Sequence, residues 1–100
     1  MQALAQSQRM RTVYLNGHYI PETEAKVSIF DRGFLFADAV YEVVSVIDGK
    51  LIDFEGHVAR LHRSMAELRM PQPPAREILL GMCRELAARN ALNEGMIYFE

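Results

Sequence analysis

The fold is decided by residues 31–64, which read DRGFLFADAVYEVVSVIDGKLIDFEGHVARLHRS. The middle of this stretch, residues 40–47, is rich in β-branched residues and predicts a strand. Apolar residues occupy both of its alternating positions, so we expect this strand to be covered on both faces. Asp48-Gly49 then predicts a tight turn into a second short strand, residues 50–53, because such turns need a positive φ.

The end of the same stretch predicts an amphipathic helix from Asp53, a suitable N-cap, to about Arg69. Its apolar residues recur at steps of four and three, which is typical of a helix with one buried face: Phe54, Val58, Leu61, Met65 and Leu68. Prolines at positions 71, 73 and 74 end it and precede a second helix, residues 75–89. That helix is predicted to bury Ile78, Leu79, Met82, Cys83 and Leu86.

The flanking residues complete an α+β pattern. Residues 1–12 are predicted to form a flexible tail, and Asn16-Gly17 predicts a hairpin over residues 13–20. Residues 96–100 predict a last strand with no partner after it, so we interpret residues 13–100 as the N-terminal small domain of a longer protein. The expected architecture is a mainly antiparallel sheet with two helices on one face.

The composition excludes several classes of protein. The chain has 100 residues, half of them apolar, and a formal net charge of −2. It offers no electrostatic basis for binding nucleic acid or an anionic membrane, and no apolar run of the roughly 20 residues that span a bilayer. The lone cysteine, Cys83, suits a reducing cytoplasm and is expected to be a small core residue.

Three residues could contribute to a binding site. Arg60 and His57 are three residues apart on the first predicted helix and therefore neighbours, and a guanidinium near a helix start suits a phosphate. Tyr41 could present its hydroxyl to a carboxylate. Taken singly, each fits an ordinary structural role: a solvated arginine, a partly buried histidine and a core tyrosine. Asp31 and Arg32 are expected to form an ion pair that stabilises a turn. No group has metal-ligand spacing, so no metal site is expected.

Taken together, several ordered motifs resemble the N-terminal domain of class IV, fold-type IV, pyridoxal-phosphate-dependent aminotransferases, most of all the D-amino-acid aminotransferases. The matching segments are DRGF at 31–34, FADAVYEVV at 36–44, the turn at 48–49, HVARL at 57–61 and NEGMIYF at 93–99. YEVV at 41–44 is similar to the D-amino-acid enzymes, whereas branched-chain enzymes usually have Phe-Glu-Gly. Ala37 and Ala39 depart from the pattern, because glycines are common there.

The resemblance implies roles for the three residues. Arg60 would bind the phosphate of pyridoxal 5'-phosphate, Tyr41 would help to hold the substrate carboxylate, and His57 would support its neighbours without contacting the ligand. The implied reaction exchanges an amino group between a D-amino acid and a 2-oxo acid. The family is dimeric, with the site near the subunit interface, so a homodimer is expected.

The lysines set a limit on what this chain can do. Transamination needs a lysine that joins the cofactor and moves protons at the substrate Cα. The chain has only Lys26 and Lys50, and the resemblance implies that the catalytic lysine lies in a second, larger domain. We therefore expect no catalytic residue here. The alternatives are a non-catalytic α+β binding or assembly module, or a related class IV enzyme: an aminodeoxychorismate lyase, a branched-chain transaminase or an amine transaminase.

Overall fold

The computed structural model describes residues 10–100 and confirms the predicted α+β class. The strands are β1 (Thr12–Leu15), β2 (His18–Pro21), β3 (Glu42–Ile47), β4 (Lys50–Leu51) and β5 (Gly95–Phe99). The helices are α1 (Arg32–Phe36), α2 (Phe54–Glu67) and α3 (Arg76–Arg89), with a short 3-10 turn at Glu22–Glu24. Most of the predicted tail, residues 1–9, lies outside the described residues.

The core lies between a three-stranded antiparallel sheet, in the order β4-β3-β5, and the helices α2 and α3. The buried side chains come from all of these elements except β4: Val44, Val46, Phe54, Val58, Leu61, Leu79, Cys83 and Ile97. Because these helices cover one face only, the opposite face of the sheet is exposed within residues 10–100, at Ser45, Ile47, Met96 and Tyr98. The prediction that both faces of β3 are covered is wrong for this part of the chain.

The strands form two sheets, whereas the sequence predicted one. β1 and β2 pair only with each other, and the side chain of Asn90, after α3, lies against β1. Thr12 N donates to Asn90 Oδ1 at 2.9 Å, and Asn90 Nδ2 donates to Thr12 O at 2.8 Å. The Asn90 amide thus supplies the hydrogen-bond partners that the backbone N–H and C=O of Thr12 would otherwise find on a neighbouring strand.

The two predicted turns are present, with left-handed φ values of 49° and 91° at Asn16 and Gly17 and of 52° and 72° at Asp48 and Gly49. The predicted helices are confirmed within a few residues. Ile78, however, is 57% exposed, because it lies on the outer side of α3. Asp53 occupies the N-cap position of α2, but its side chain makes no capping hydrogen bond. Within residues 10–100 no helix has the length and apolarity to cross a membrane.

The segment before β3 forms the short helix α1. Asp31 caps α1 by accepting a hydrogen bond from Phe34 N at 3.2 Å. Arg32 pairs with Asp38 at 2.7 Å, so the predicted Asp31–Arg32 ion pair is wrong. The carboxylate of Asp31 is already used by the helix N-terminus, which leaves Arg32 to a partner beyond the helix.

Ala37 ends α1 in the left-handed conformation, with φ at 55° and ψ at 29°. For an L-residue with a Cβ this conformation costs about 1–2 kcal/mol, whereas glycine adopts it freely at a smaller entropic cost. We therefore expect Ala37→Gly to raise the free energy of unfolding by about 0.5 kcal/mol. Urea unfolding measures this, with Ala59→Gly inside α2 as the control that is expected to destabilise. A destabilised Ala37→Gly would contradict the prediction.

Candidate functional site

The site is built around Glu42, the first residue of β3. Side chains alternate along a strand, so Glu42 lies on the same face as Val44 and Val46, the face covered by the helices. Glu42 is only 3% exposed, and no other charged residue within residues 10–100 is buried. A carboxylate removed from water needs charged or hydrogen-bonding partners, and α2 supplies them.

Arg60 holds this carboxylate through one edge of its guanidinium. Its Nε donates to Glu42 Oε2 and its Nη2 donates to Glu42 Oε1, each at 2.8 Å. This is the bidentate fork that only arginine forms. The other edge of the guanidinium, with the two Nη1 hydrogens and one Nη2 hydrogen, is free of Glu42. The Arg60 side chain is 57% exposed, so that edge is accessible to a ligand.

His57 lies one helical turn before Arg60 and binds the same carboxylate, with its Nδ1 at 2.6 Å from Glu42 Oε1. The predicted adjacency of His57 and Arg60 is therefore present, but the two residues meet through Glu42. With Glu42 accepting from both partners, the cluster of these three residues has no buried polar atom without a hydrogen-bond partner.

The charges of the cluster stabilise one another. The hydrogen bonds from Arg60 hold the pKa of the Glu42 carboxyl below its ordinary value; burial opposes this shift, and the His57 hydrogen bond adds to it. The same hydrogen bonds raise the pKa of the Arg60 guanidinium. Glu42 and Arg60 therefore form a fixed ion pair across the neutral pH range.

This arrangement predicts an acid-dependent stability. A lowered folded-state pKa means that Glu42 contributes stability above its unfolded pKa of roughly 4.3 and loses it as pH falls through the folded value. Glu42→Gln should destabilise the protein by about 1–2 kcal/mol at pH 7. The difference from wild type should shrink below about pH 4. Urea unfolding from pH 7 to pH 3 measures this.

Glu55→Gln is the matched control, since Glu55 pairs with Arg76 on the surface and is 63% exposed. An exposed pair contributes roughly 0–1 kcal/mol, so its variant should remain close to wild type at every pH. A pH-independent difference for Glu42→Gln would show that the carboxylate charge contributes nothing.

Tyr41 precedes β3 and is 63% exposed within residues 10–100, so in this part of the protein it is not the core tyrosine that the sequence also allowed. Its ring stacks on Tyr98 of β5, with centroids 5.5 Å apart and an interplanar angle of 23°. Tyr98 pairs with Val43 across the sheet, so both rings lie on the side opposite Glu42. Tyr41 and Arg60 thus lie on opposite sides of the start of β3.

The remaining candidates lie elsewhere. Cys83 is buried in the core, as expected, and burial raises the pKa of its thiol. Lys26 and Lys50 are exposed. Lys50 pairs with Ile47 at the end of β3 opposite Glu42, about 17 Å away along the strand. No group of side chains that could hold a metal ion occurs within residues 10–100.

Glu42 is the residue of this site to which sequence reasoning assigned no role. Its partners lie 15 and 18 residues away on another element, and no local pattern connects them. A signal was nevertheless present. An acidic residue in phase with Val44 and Val46 must be buried on the core face, and a buried acid requires a cationic partner.

With the geometry described, comparisons with known proteins identify the family. The family model for amino-transferase class IV matches residues 39–100, which includes β3, the whole Glu42–His57–Arg60 cluster and β5. The chain belongs to the class IV aminotransferases. This confirms the resemblance that the motifs indicated.

Curated relatives carry a more specific name. The chain is 38% identical over 91 residues to a D-alanine aminotransferase of Staphylococcus haemolyticus and 36% identical over 88 residues to one of Listeria monocytogenes serotype 4b. These alignments cover 91% and 88% of this chain but only 32% and 30% of the relatives. The chain therefore spans about a third of the length of these class IV relatives.

Solved structures support the same fold. A branched-chain amino acid aminotransferase of T.th., in complex with N-(5'-phosphopyridoxyl)-L-glutamate, superposes with a TM-score of 0.80 at 26% identity. The branched-chain aminotransferase of Thermoproteus uzoniensis, with norvaline, gives 0.75 at 25% identity. They cover 90% and 89% of this chain, and 32% and 31% of their own chains. The small α+β domain is thus a fold-type IV domain.

Proposed function

We propose that this chain is the N-terminal small domain of a pyridoxal-phosphate-dependent transaminase that exchanges an amino group between a D-amino acid and a 2-oxo acid. The observation that carries the proposal is the half-exposed guanidinium of Arg60, fixed by a buried carboxylate and open along its other edge. Family membership and the D-alanine aminotransferase relatives support it.

The donors around Arg60 fit the phosphate of pyridoxal phosphate. A phosphate dianion accepts charge-assisted hydrogen bonds, and the free guanidinium edge offers parallel N–H groups for two of its oxygens. When bound, pyridoxal phosphate supplies an electron sink for chemistry at the substrate Cα. Arg60 binds and orients it, while the proton-transferring lysine would come from outside these residues.

Tyr41 would act on the substrate. Its phenol is exposed beside the start of β3 and its ring is held by stacking on Tyr98. A fixed phenolic hydroxyl is a suitable donor to a carboxylate oxygen. The hydrogen-bond donor for the substrate carboxylate, Tyr41, would thus lie on one side of the start of β3, and the donor for the cofactor phosphate, Arg60, on the other.

Binding of the cofactor tests this assignment. The complete protein is expected to bind pyridoxal phosphate with an absorbance band of the bound cofactor, and to convert D-alanine and a 2-oxo acid. Absence of both would contradict the proposal. The branched-chain transaminase is the second candidate, because the structural neighbours are of that kind. Turnover of L-leucine in place of D-alanine would favour it.

We also propose a homodimer in which a second copy covers the segment of residues 27–36. Its large apolar side chains are 47–76% exposed: Val27, Ile29, Phe30, Phe34, Leu35 and Phe36. Apolar patches of this extent mark protein interfaces. We expect the complete protein to be dimeric by light scattering and Phe34→Asp to weaken the dimer. Thr23→Asp, at an exposed position outside the segment, is the control.

The remaining parts of the proposal rest on composition. A single buried cysteine and a net charge of −2 support a cytoplasmic location with small-molecule partners, an amino acid and a 2-oxo acid, and with neither nucleic acid nor membrane bound.

A further inference from the structure

Glu42 occupies a position from which it controls the direction of Arg60. An arginine side chain has several rotatable bonds and, on an exposed helix face, samples many rotamers. Here two of its five N–H groups are bound to a carboxylate that is itself 3% exposed and held by β3. The guanidinium plane and its free edge are therefore set by the sheet, not by the helix alone.

We propose that Glu42 is a positioning residue: its carboxylate fixes the guanidinium of Arg60 so that the Nη1–Nη2 edge is presented to the cofactor phosphate. The inference deepens the proposed function and rests on it. His57 takes part by also binding Glu42 Oε1, at 2.6 Å. A carboxylate that is buried on β3 and held by a second residue does not follow the arginine away from its position.

An alternative role for Glu42, in which its charge only repels the phosphate, predicts the opposite experimental result. A negative charge near a bound phosphate repels it, so a carboxylate that contributed only its charge would weaken phosphate binding. Replacing it with neutral glutamine would then tighten binding. If Glu42 instead orients Arg60, the same replacement loosens binding, because one acceptor of the fork becomes an amide donor facing a cation. The sign of the change separates the two roles.

A double-mutant cycle tests whether Glu42 acts through Arg60. The probes are pyridoxal phosphate and pyridoxal, which lacks the phosphate, and the readout is the dissociation constant from absorbance titration of the complete protein. Glu42→Gln should weaken pyridoxal phosphate binding by about tenfold when Arg60 is present, within the range of couplings in one hydrogen-bond network. In the Arg60→Lys background the same change should have less than about a twofold effect, because lysine cannot form the fork.

Controls separate positioning from general damage. Glu42→Asp keeps the charge but withdraws the carboxylate by one methylene, so it should also weaken pyridoxal phosphate binding when Arg60 is present, but not in the Arg60→Lys background. Glu42→Asp replaces Glu42→Gln in the double-mutant cycle if the Gln variant does not fold. Pyridoxal binding should be unchanged in all variants, since it has no phosphate.

Tighter or equal binding of pyridoxal phosphate by Glu42→Gln, or equal losses in both backgrounds or for both probes, would overturn the inference. Wild-type protein that binds no pyridoxal phosphate would overturn the proposed function, and this inference with it. The two failures are thus distinguishable by the wild-type titration alone.

Discussion

A polypeptide of these 100 residues alone is expected to catalyse no transamination between D-alanine and a 2-oxo acid. The reaction needs a lysine at the substrate Cα, and the chain offers only Lys26 and Lys50. Both are exposed, and Lys50 of β4 pairs with Ile47, at the end of β3 remote from Glu42. Lys50 is therefore remote from a phosphate bound at Arg60, and Lys26 belongs to the exposed loop before α1.

A coupled assay of 2-oxo acid formation measures this, with the Staphylococcus haemolyticus D-alanine aminotransferase as the positive control. Lys26→Ala and Lys50→Ala serve as internal controls and should leave the baseline unchanged. Turnover above the protein-free rate that disappears in either lysine variant would contradict the prediction and make that lysine catalytic.

In the complete protein, Arg60→Ala is expected to weaken pyridoxal phosphate binding by about tenfold to a hundredfold, since each charge-assisted hydrogen bond contributes roughly 1.5–3 kcal/mol. Arg60→Lys should recover only part of the loss, because lysine keeps the charge but not the fork. Arg60→Ala also removes two hydrogen bonds from the buried Glu42. Some loss of stability is therefore expected with it.

Arg63 is the matched control. It lies three residues further along α2, is exposed and belongs to no ion pair among the described residues, so Arg63→Ala should bind the cofactor as wild type does. Titration of the three variants and of wild type decides the matter. Equal affinities of wild type and Arg60→Ala would make Arg60 a partner of Glu42 and nothing more.

Local patterns were sufficient to predict most elements of the fold. The turns at Asn16-Gly17 and Asp48-Gly49 need positive φ values, and the apolar residues of α2 recur with a helical period. The turns and the helix can therefore be predicted from residues close together in the sequence. Local patterns show neither that β1 and β2 form a sheet of their own nor that the side chain of Asn90, 78 residues after Thr12, binds the backbone of Thr12.

The sequence predicts only the part of the site that depends on local spacing. Arg60 and His57 are adjacent on one helix, so their proximity follows from spacing. Their common partner Glu42 lies on a strand, and only the packing of α2 on β3 brings the three together. The sequence predicts that Arg60 binds a phosphate, and the structure shows that one edge of its guanidinium already holds the Glu42 carboxylate. Binding of phosphate by the other edge stays a prediction.

The pairing of β3 with β5 has a consequence for synthesis on the ribosome. β3 can form its hairpin with β4 and pack on α2 early, but Ile97 enters the core only after both long helices have been made. At about 5–20 residues per second, β3 therefore keeps an open apolar edge for several seconds in the nascent chain. During this interval the backbone N–H and C=O groups of β3 that later pair with β5 are open to the strands of other polypeptides, so we expect β3 to be prone to aggregation until β5 has been made.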